Sequence, residues 1–296
     1  MSRLGIAAIL MPTIFCAAGL PASHVSVLVV SEPAVSAYAE ALAGIGGVLP
    51  QGTTRVMDLT LAGFDRDLAA ALEDRELRVV IAVGSRAMTE VKARHAAVPV
   101  IASMTLRSTE ADTVRRVGLD LPLATQLQSM RALWPRKLRV GIIRGPAQSR
   151  NAADSLEAIA RKEGFTPVVV DCASPAQLLK AVAALQGKVD FVLCFPDAEL
   201  YNPVTVKPLV LASLERRLPL VGYSPAFVRA GAAAGLFPDY RDLGRQAAEM
   251  ALSLLRGEDR PWQESPRKIL AAINQRVTRL LGVEFAAGAL GAEIYR

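Results

Sequence analysis

A chain of 296 residues with 52% apolar side chains is long enough to bury one large or two medium α/β cores. A charged fraction of 21%, an aromatic fraction of 5% and the lack of low-complexity tracts exclude a disordered or fibrous protein. The net charge of +6 at pH 7 is spread over pairs (Arg115-Arg116, Arg136-Lys137, Arg161-Lys162, Arg216-Arg217) rather than one polybasic block. With no helix-turn-helix or zinc-finger spacing beside them, nucleic acid is not an expected partner.

Taken in order, the N-terminus reads as an export signal. Arg3 supplies the charge, Leu4–Ala18 an apolar stretch too short for a comfortable membrane span, and Ala22 and Ser23 the small residues before His24. Residues 1–23 are assigned to a cleaved signal peptide, which implies a periplasmic protein. Bulky Phe15 before Cys16 makes a poor lipidation box, so no lipid anchor is expected.

Val25–Ser31 is an apolar run of strand type, and a helical pattern follows from Ala34 to Ile45, closed by a turn at Gly44-Ile45-Gly46-Gly47. Arg55–Leu59, Val79–Val83 and Val98–Ala102 are further strands, with helices at Asp65–Asp74 and Arg86–His95 between them. A short strand, Val117–Asp120, ends this half. After a helix at Leu123–Leu133 the alternation starts again. Strands fall at Arg139–Ile143, Pro167–Asp171, Phe191–Phe195 and Leu218–Tyr223, with helices at Asn151–Glu163, Pro175–Leu185 and Thr205–Arg217. Short connections between alternating strands and helices mean parallel sheets covered on both faces. The expected fold class is α/β, with two Rossmann-like lobes.

A long amphipathic helix spans Tyr240–Leu255, with Leu243, Ala247, Met250, Ala251 and Leu254 on one face and Gly244 available for close approach. Asp239 is its expected cap. The tail holds a strand at Lys268–Ile273 and a helix at Gln275–Leu281 stopped by Gly282. The small-residue segment Ala286–Gly291 is expected to be loosely held. In the usual 2-1-3-4 strand order, the first strand of the second lobe separates the second strand, which carries Cys172 at its end, from the third, which carries Cys194. Two strand spacings of ~10 Å exceed disulfide reach, and a buried free thiol is expected for Cys194.

Ligands of open α/β sheets bind at strand carboxyl ends, where helix N-termini converge. Those ends carry Ser31, Glu32, Gly84, Ser85 and Ser103 with Thr105 in the first half, and Pro146, Ser149, Asp197, Tyr201, Asn202, Tyr223 and Ser224 in the second. Hydroxyls, an amide, two carboxylates and two phenols suit hydrogen bonding to a small polar molecule. They suit catalysis poorly: the histidines are His24 and His95, and no nucleophile elbow, Gly-x-Gly-x-x-Gly or phosphate loop occurs. No enzyme activity, metal or cofactor is expected. Capping is the competing role for Ser31, Ser149, Ser174, Ser224 and Asp197.

Val221-Gly222-Tyr223-Ser224-Pro225-Ala226-Phe227-Val228-Arg229-Ala230-Gly231-Ala232, followed by Pro238-Asp239-Tyr240 and Asp242-Leu243-Gly244-Arg245-Gln246-Ala247-Ala248, resembles the C-terminal signature of a family of ABC-transporter substrate-binding proteins that includes aromatic amino-acid binders. Ile273-Asn274 and Leu281-Gly282 resemble its closing segment. The resemblance implies the type I periplasmic-binding-protein fold, with a three-segment hinge near Leu121–Leu123, Phe237–Asp239 and Arg260–Trp262. It implies a first lobe of residues 24–121 plus 238–259 and a second of 122–237 plus 260–296. The expected protein is a monomer that captures an amino acid or similar solute by hinge closure and delivers it to an ABC permease. A periplasmic sensory domain signalling to a receptor is the alternative; a periplasmic α/β enzyme ranks below it.

Overall fold

The computed structural model describes residues 25–106, 114–136, 138–146, 156–197, 199–258, 260–286 and 288–296. The expected signal peptide lies outside them. Six strands form a first sheet: β1 (Val27–Ser31), β2 (Thr54–Asp58), β3 (Val79–Val83), β4 (Val100–Thr105), β5 (Arg115–Gly118) and β11 (Gln263–Glu264). Their order is β2-β1-β3-β4-β5-β11, and every pair is parallel. β1 and β3 are buried at every position, as a sheet covered on both faces requires. Helices α1 (Ser36–Gly46) and α9 (Tyr240–Leu255) pack on one face. Helices α2 (Phe64–Leu72) and α3 (Ser85–Ala93) pack on the other.

The second sheet holds β6 (Arg139–Arg144), β7 (Thr166–Asp171), β8 (Phe191–Leu193), β9 (Leu220–Gly222), β10 (Ala234–Pro238), β12 (Ile269–Asn274) and β13 (Glu293–Tyr295). Its order is β7-β6-β8-β9-β10-β12-β13, with β10 and β12 antiparallel. One face carries α4 (Leu123–Leu133) and α5 (Leu156–Lys162). The other carries α6 (Leu178–Leu185), α7 (Pro203–Glu215) and α8 (Pro225–Arg229). The chain passes between the sheets after β5, at Asp239 and after β11. Helix α10 (Gln275–Leu281) follows β12.

β6 separates β7 from β8, and Cys172 and Cys194 are both free and buried. Burial pushes the Cys194 thiol up to about 12. Among the described residues no helix is long and apolar enough to cross a membrane.

Four expectations need correction. Arg260–Trp262 is not a crossing. Gln263 and Glu264 pair with β5, the Trp262 carbonyl accepts from the Arg116 N–H at 2.7 Å, and the Arg115 guanidinium lies 4.9 Å from the Trp262 ring. The tail enters the second sheet only after Glu264. Second, Phe237 and Pro238, expected in a hinge segment, end a strand, β10, that is buried throughout. Ala234, Gly235 and Pro238 carry little strand propensity, so pairing with β9 and β12 decides it. Third, Ala286–Gly291 is anchored: the Ala286 N–H donates to the Leu133 carbonyl at 2.9 Å, Phe285 meets Trp134 edge-on at 5.1 Å, and β13 pairs with β12. Fourth, Gly46 ends α1 and Gly47 caps it as expected, but Gly44 lies inside the helix rather than in the turn. A Cβ on Gly44 would come within 2.0 Å of the Arg241 carbonyl oxygen, and one on Gly244 within 1.9 Å of the Ala41 oxygen. The two glycines let α1 and α9 cross in backbone contact, and that crossing closes one face of the first lobe.

Two of the crossings are tied together. The Asp239 carboxylate caps α9 by accepting from the Asp242 N–H at 3.1 Å and meets the Lys268 ammonium at 2.8 Å. Buried Gln246 of α9 donates to the Ser265 carbonyl at 3.1 Å and accepts from the Arg267 N–H at 3.2 Å.

Candidate functional site

The first-lobe candidates gather at the adjacent ends of β1, β3 and β4. Ser31 ends β1, and Thr105 ends β4 just past a bulge in its pairing with β5, where Met104 adopts φ 59°. The hydroxyls of Ser31, Ser103 and Thr105 are buried and have no hydrogen-bond partner among the described residues. None of them caps a helix; α1 starts at Val35 without a side-chain cap. A buried hydroxyl left unpaired costs stability, so these three hold unspent bonding capacity.

Gly84 joins β3 to α3 at φ 92°, a conformation that disfavours a side chain. A Cβ there would also sit 2.6 Å from the ring of Tyr38. Tyr38, from the first turn of α1, thus lies over the β3–α3 turn. Burial, aided by the Glu32 carboxylate, pushes its phenol up. Glu32 pairs with Arg86 at 3.5 Å in an exposed contact of little energetic weight. Ser85 opens α3 on the surface.

The second-lobe candidates divide differently. Asp197 follows β8 and is 3% exposed. Its Oδ1 accepts from the N–H groups of Glu199 and Leu200 at 3.0 and 3.1 Å, which closes a tight turn. Its Oδ2 lies over Gly145 at the end of β6, where a Cβ would come within 2.4 Å of it. Tyr201, Tyr223 and Phe227 form a ring cluster with centroids 5.3–6.0 Å apart. Burial pushes the Tyr223 phenol up to about 12, with the Cys194 thiol and the Asp197 carboxylate adding to it. The Tyr201 hydroxyl is buried beside the Cys194 thiol without meeting it in hydrogen-bond geometry.

Asn202 and Ser224 serve as caps. Asn202 begins α7 with a full capping box: its side chain accepts from the N–H groups of Val204 and Thr205, and the Thr205 hydroxyl accepts from its own N–H at 3.0 Å. Ser224 begins α8 and accepts from the Phe227 N–H at 3.2 Å. Their polar atoms are spent on the helices. Ser149 lies outside the described residues. Tyr38, Gly145 and Phe227 escaped the sequence reading, because each acts through packing against a turn made elsewhere in the chain.

Residues 65–284 match the family described as ABC transporter substrate binding protein. The chain belongs to that family. A tyrosine-binding protein of Clostridioides difficile strain R20291 is 28% identical over 141 residues, which cover 47% of this chain and 40% of that protein. The chain therefore spans less than half the length of that relative. A substrate-binding protein with adhesive properties from Clostridium difficile, in its ligand-free, open form, shares the fold at a TM-score of 0.69 and 15% identity, covering 92% of this chain and 99% of the other. The ABC domain of a Streptococcus pneumonia protein, in complex with L-Trp, gives a TM-score of 0.59 at 18% identity over 91% and 99%. This substrate-binding protein thus has the expected two-lobed periplasmic-binding fold. Among its described residues, no group of three or more His, Cys, Asp or Glu side chains could hold a metal ion.

Proposed function

We propose that the protein is the solute-capturing component of an ABC importer, working outside the cytoplasmic membrane as a monomer. In this reading the lobes close by a hinge on a small amino acid and present the closed form to a permease. The observation that carries it is the complementary chemistry of the two halves. The first lobe offers the unpaired hydroxyls of Ser31, Ser103 and Thr105, donors suited to a carboxylate. The second offers the Asp197 carboxylate, an acceptor suited to an ammonium, beside the Tyr201–Tyr223–Phe227 rings. A zwitterion with an aromatic or large apolar side chain satisfies both. The tyrosine-binding relative and the neighbour in complex with L-Trp favour the same class. No bond is made or broken, and the ligand shifts the equilibrium by its preference for the closed state.

Native mass spectrometry of the purified protein, followed by calorimetric titration with L-tyrosine, L-tryptophan and their decarboxylated amines, tests this. The amino acids should bind and the amines should lose at least about tenfold in affinity, the worth of one charged hydrogen-bonded group. Equal affinity for the amines, or a co-purified solute lacking an amine, would overturn the assignment. Turnover of the bound solute would replace it with an enzyme.

A further inference from the structure

The end of the second lobe opposite the ligand candidates carries a groove that the reading above does not use. α4 runs away from the first crossing and ends at Leu133, just before β6 begins. Because β12 is antiparallel to β10, it delivers α10 to this same distal end. Between them lie two adjoining depressions that share Arg279, of about 810 and 890 Å³. The first is lined by the apolar Leu133, Trp134 and Phe285 and by the charged Arg136, Arg279 and Glu284. The second lies along α10 between Arg276, Arg279 and Arg296, beside Leu280, which is 68% exposed.

We propose that this groove docks an extended acidic segment of a partner protein, with an apolar or aromatic side chain seated on Trp134 and Phe285. Charge and shape both argue for it. No hydrogen bond or ion pair engages the guanidinium groups of Arg136, Arg276 or Arg279 among the described residues. Elsewhere on this lobe Arg139 and Arg144 are each held by a carboxylate, at 2.9 and 2.6 Å. A place in the last turn of α10 explains Arg279, since the helix dipole favours a cation there. It does not explain Arg276 one turn earlier, where two like charges three residues apart repel. Two depressions in line along a helix fit a chain of several residues better than a compact solute, and guanidinium groups match successive carboxylates.

The sequence contains only two tryptophans, Trp134 and Trp262. In the full chain carrying Trp262→Phe, Trp134 therefore reports on the groove alone. The probe is an acetylated, amidated octapeptide of Asp and Glu with one central Phe. Its titration should change Trp134 emission saturably, with affinity falling about tenfold when salt rises from about 50 to about 200 mM. Arg276→Glu with Arg279→Glu should weaken the response at least about tenfold, while Arg75→Glu with Arg78→Glu on the first lobe should leave it unchanged. Both double variants should retain the parent melting temperature and solute affinity. An unsaturable signal, an equal response in the two double variants, or a response to inorganic phosphate or to vesicles containing phosphatidylglycerol that matches the peptide's would overturn the proposal. Because solute affinity is measured separately, its loss would count against the cleft reading and not against the groove.

Discussion

The two lobes share a strand order and spend their polar side chains in opposite ways. In the first, Ser31, Ser103 and Thr105 are buried without a hydrogen-bond partner among the described residues. In the second, Asn202 and Ser224 occupy comparable places after strands, and both are consumed by the helices they start. Beside them stand Asp197, whose Oδ1 closes a turn while its Oδ2 lies over Gly145 of the β6 end, and a wall of rings. Residue type at a strand end does not decide function; the position of the next helix does. Where a helix begins at the polar residue, that residue caps it. Where the helix begins later, as α1 does after Ser31, the hydroxyl stays unspent.

The largest way to break this comparison is through the first lobe's architecture. Gly244→Ala puts a methyl group into the Ala41 carbonyl and should cost about 3 kcal/mol by forcing α1 and α9 apart. Chemical denaturation measures it, and a loss under about 1 kcal/mol would mean the crossing is not rigid. Next is Asp197→Asn, which keeps an Oδ1 acceptor for the Glu199 and Leu200 N–H groups but removes the charge. Solute affinity should fall by about 2–3 kcal/mol with the melting temperature nearly unchanged, by calorimetry and thermal unfolding. An unchanged affinity would remove Asp197 from the site.

The sharpest test sets the lobes against each other. Ser103→Ala should stabilise the solute-free protein by about 1 kcal/mol, because it deletes an unsatisfied buried group, while weakening solute binding. Asn202→Ala or Ser224→Ala should destabilise it by about 1 kcal/mol and leave affinity alone. If Ser224→Ala instead lowered affinity, the division between the lobes would fail. The smallest effect concerns the hinge. Burial works against the Asp239 carboxylate, but Lys268 and the Asp242 N–H outweigh it and hold its pKa below the usual range. Its contribution is then fully present above the unfolded carboxylate pKa and lost as pH falls through the lower folded value. With Lys268 mostly exposed, the pair is worth under about 1 kcal/mol. Lys268→Met should flatten the acid limb of stability against pH, followed by urea midpoints between about pH 2 and 6.

Much of the fold was legible because strands buried on both faces announce themselves. Val79–Val83 is apolar throughout, and α4, α9 and α10 have the bounds their periodicity predicts. β10 was hidden, since alanine, glycine and proline leave Leu236 and Phe237 as its only strand signal and its partners lie on either side of it in the sheet. β11 was hidden for a related reason: two residues acquire strand character only from Arg116 and Val117, far away in the chain. At the site, Asp197 was visible as a carboxylate just beyond an apolar run. The fate of Asn202 was not. The expected helix began at Thr205, whereas Pro203 at the first helical position moves the cap to Asn202. A shift of two residues turns a candidate ligand contact into a structural one.

The interleaving of the lobes also bears on how the protein is made. The face of the first sheet that includes Val27, Val29 and Ile81 is covered by α1 and by α9. All of the second lobe's β6–β10 region is synthesised before α9 leaves the ribosome. The first lobe, begun earliest, therefore cannot finish until nearly the whole chain exists, and its apolar face stays open to chaperones in the meantime. Late completion leaves the first lobe dependent on residues that lie more than 200 positions after its first strand.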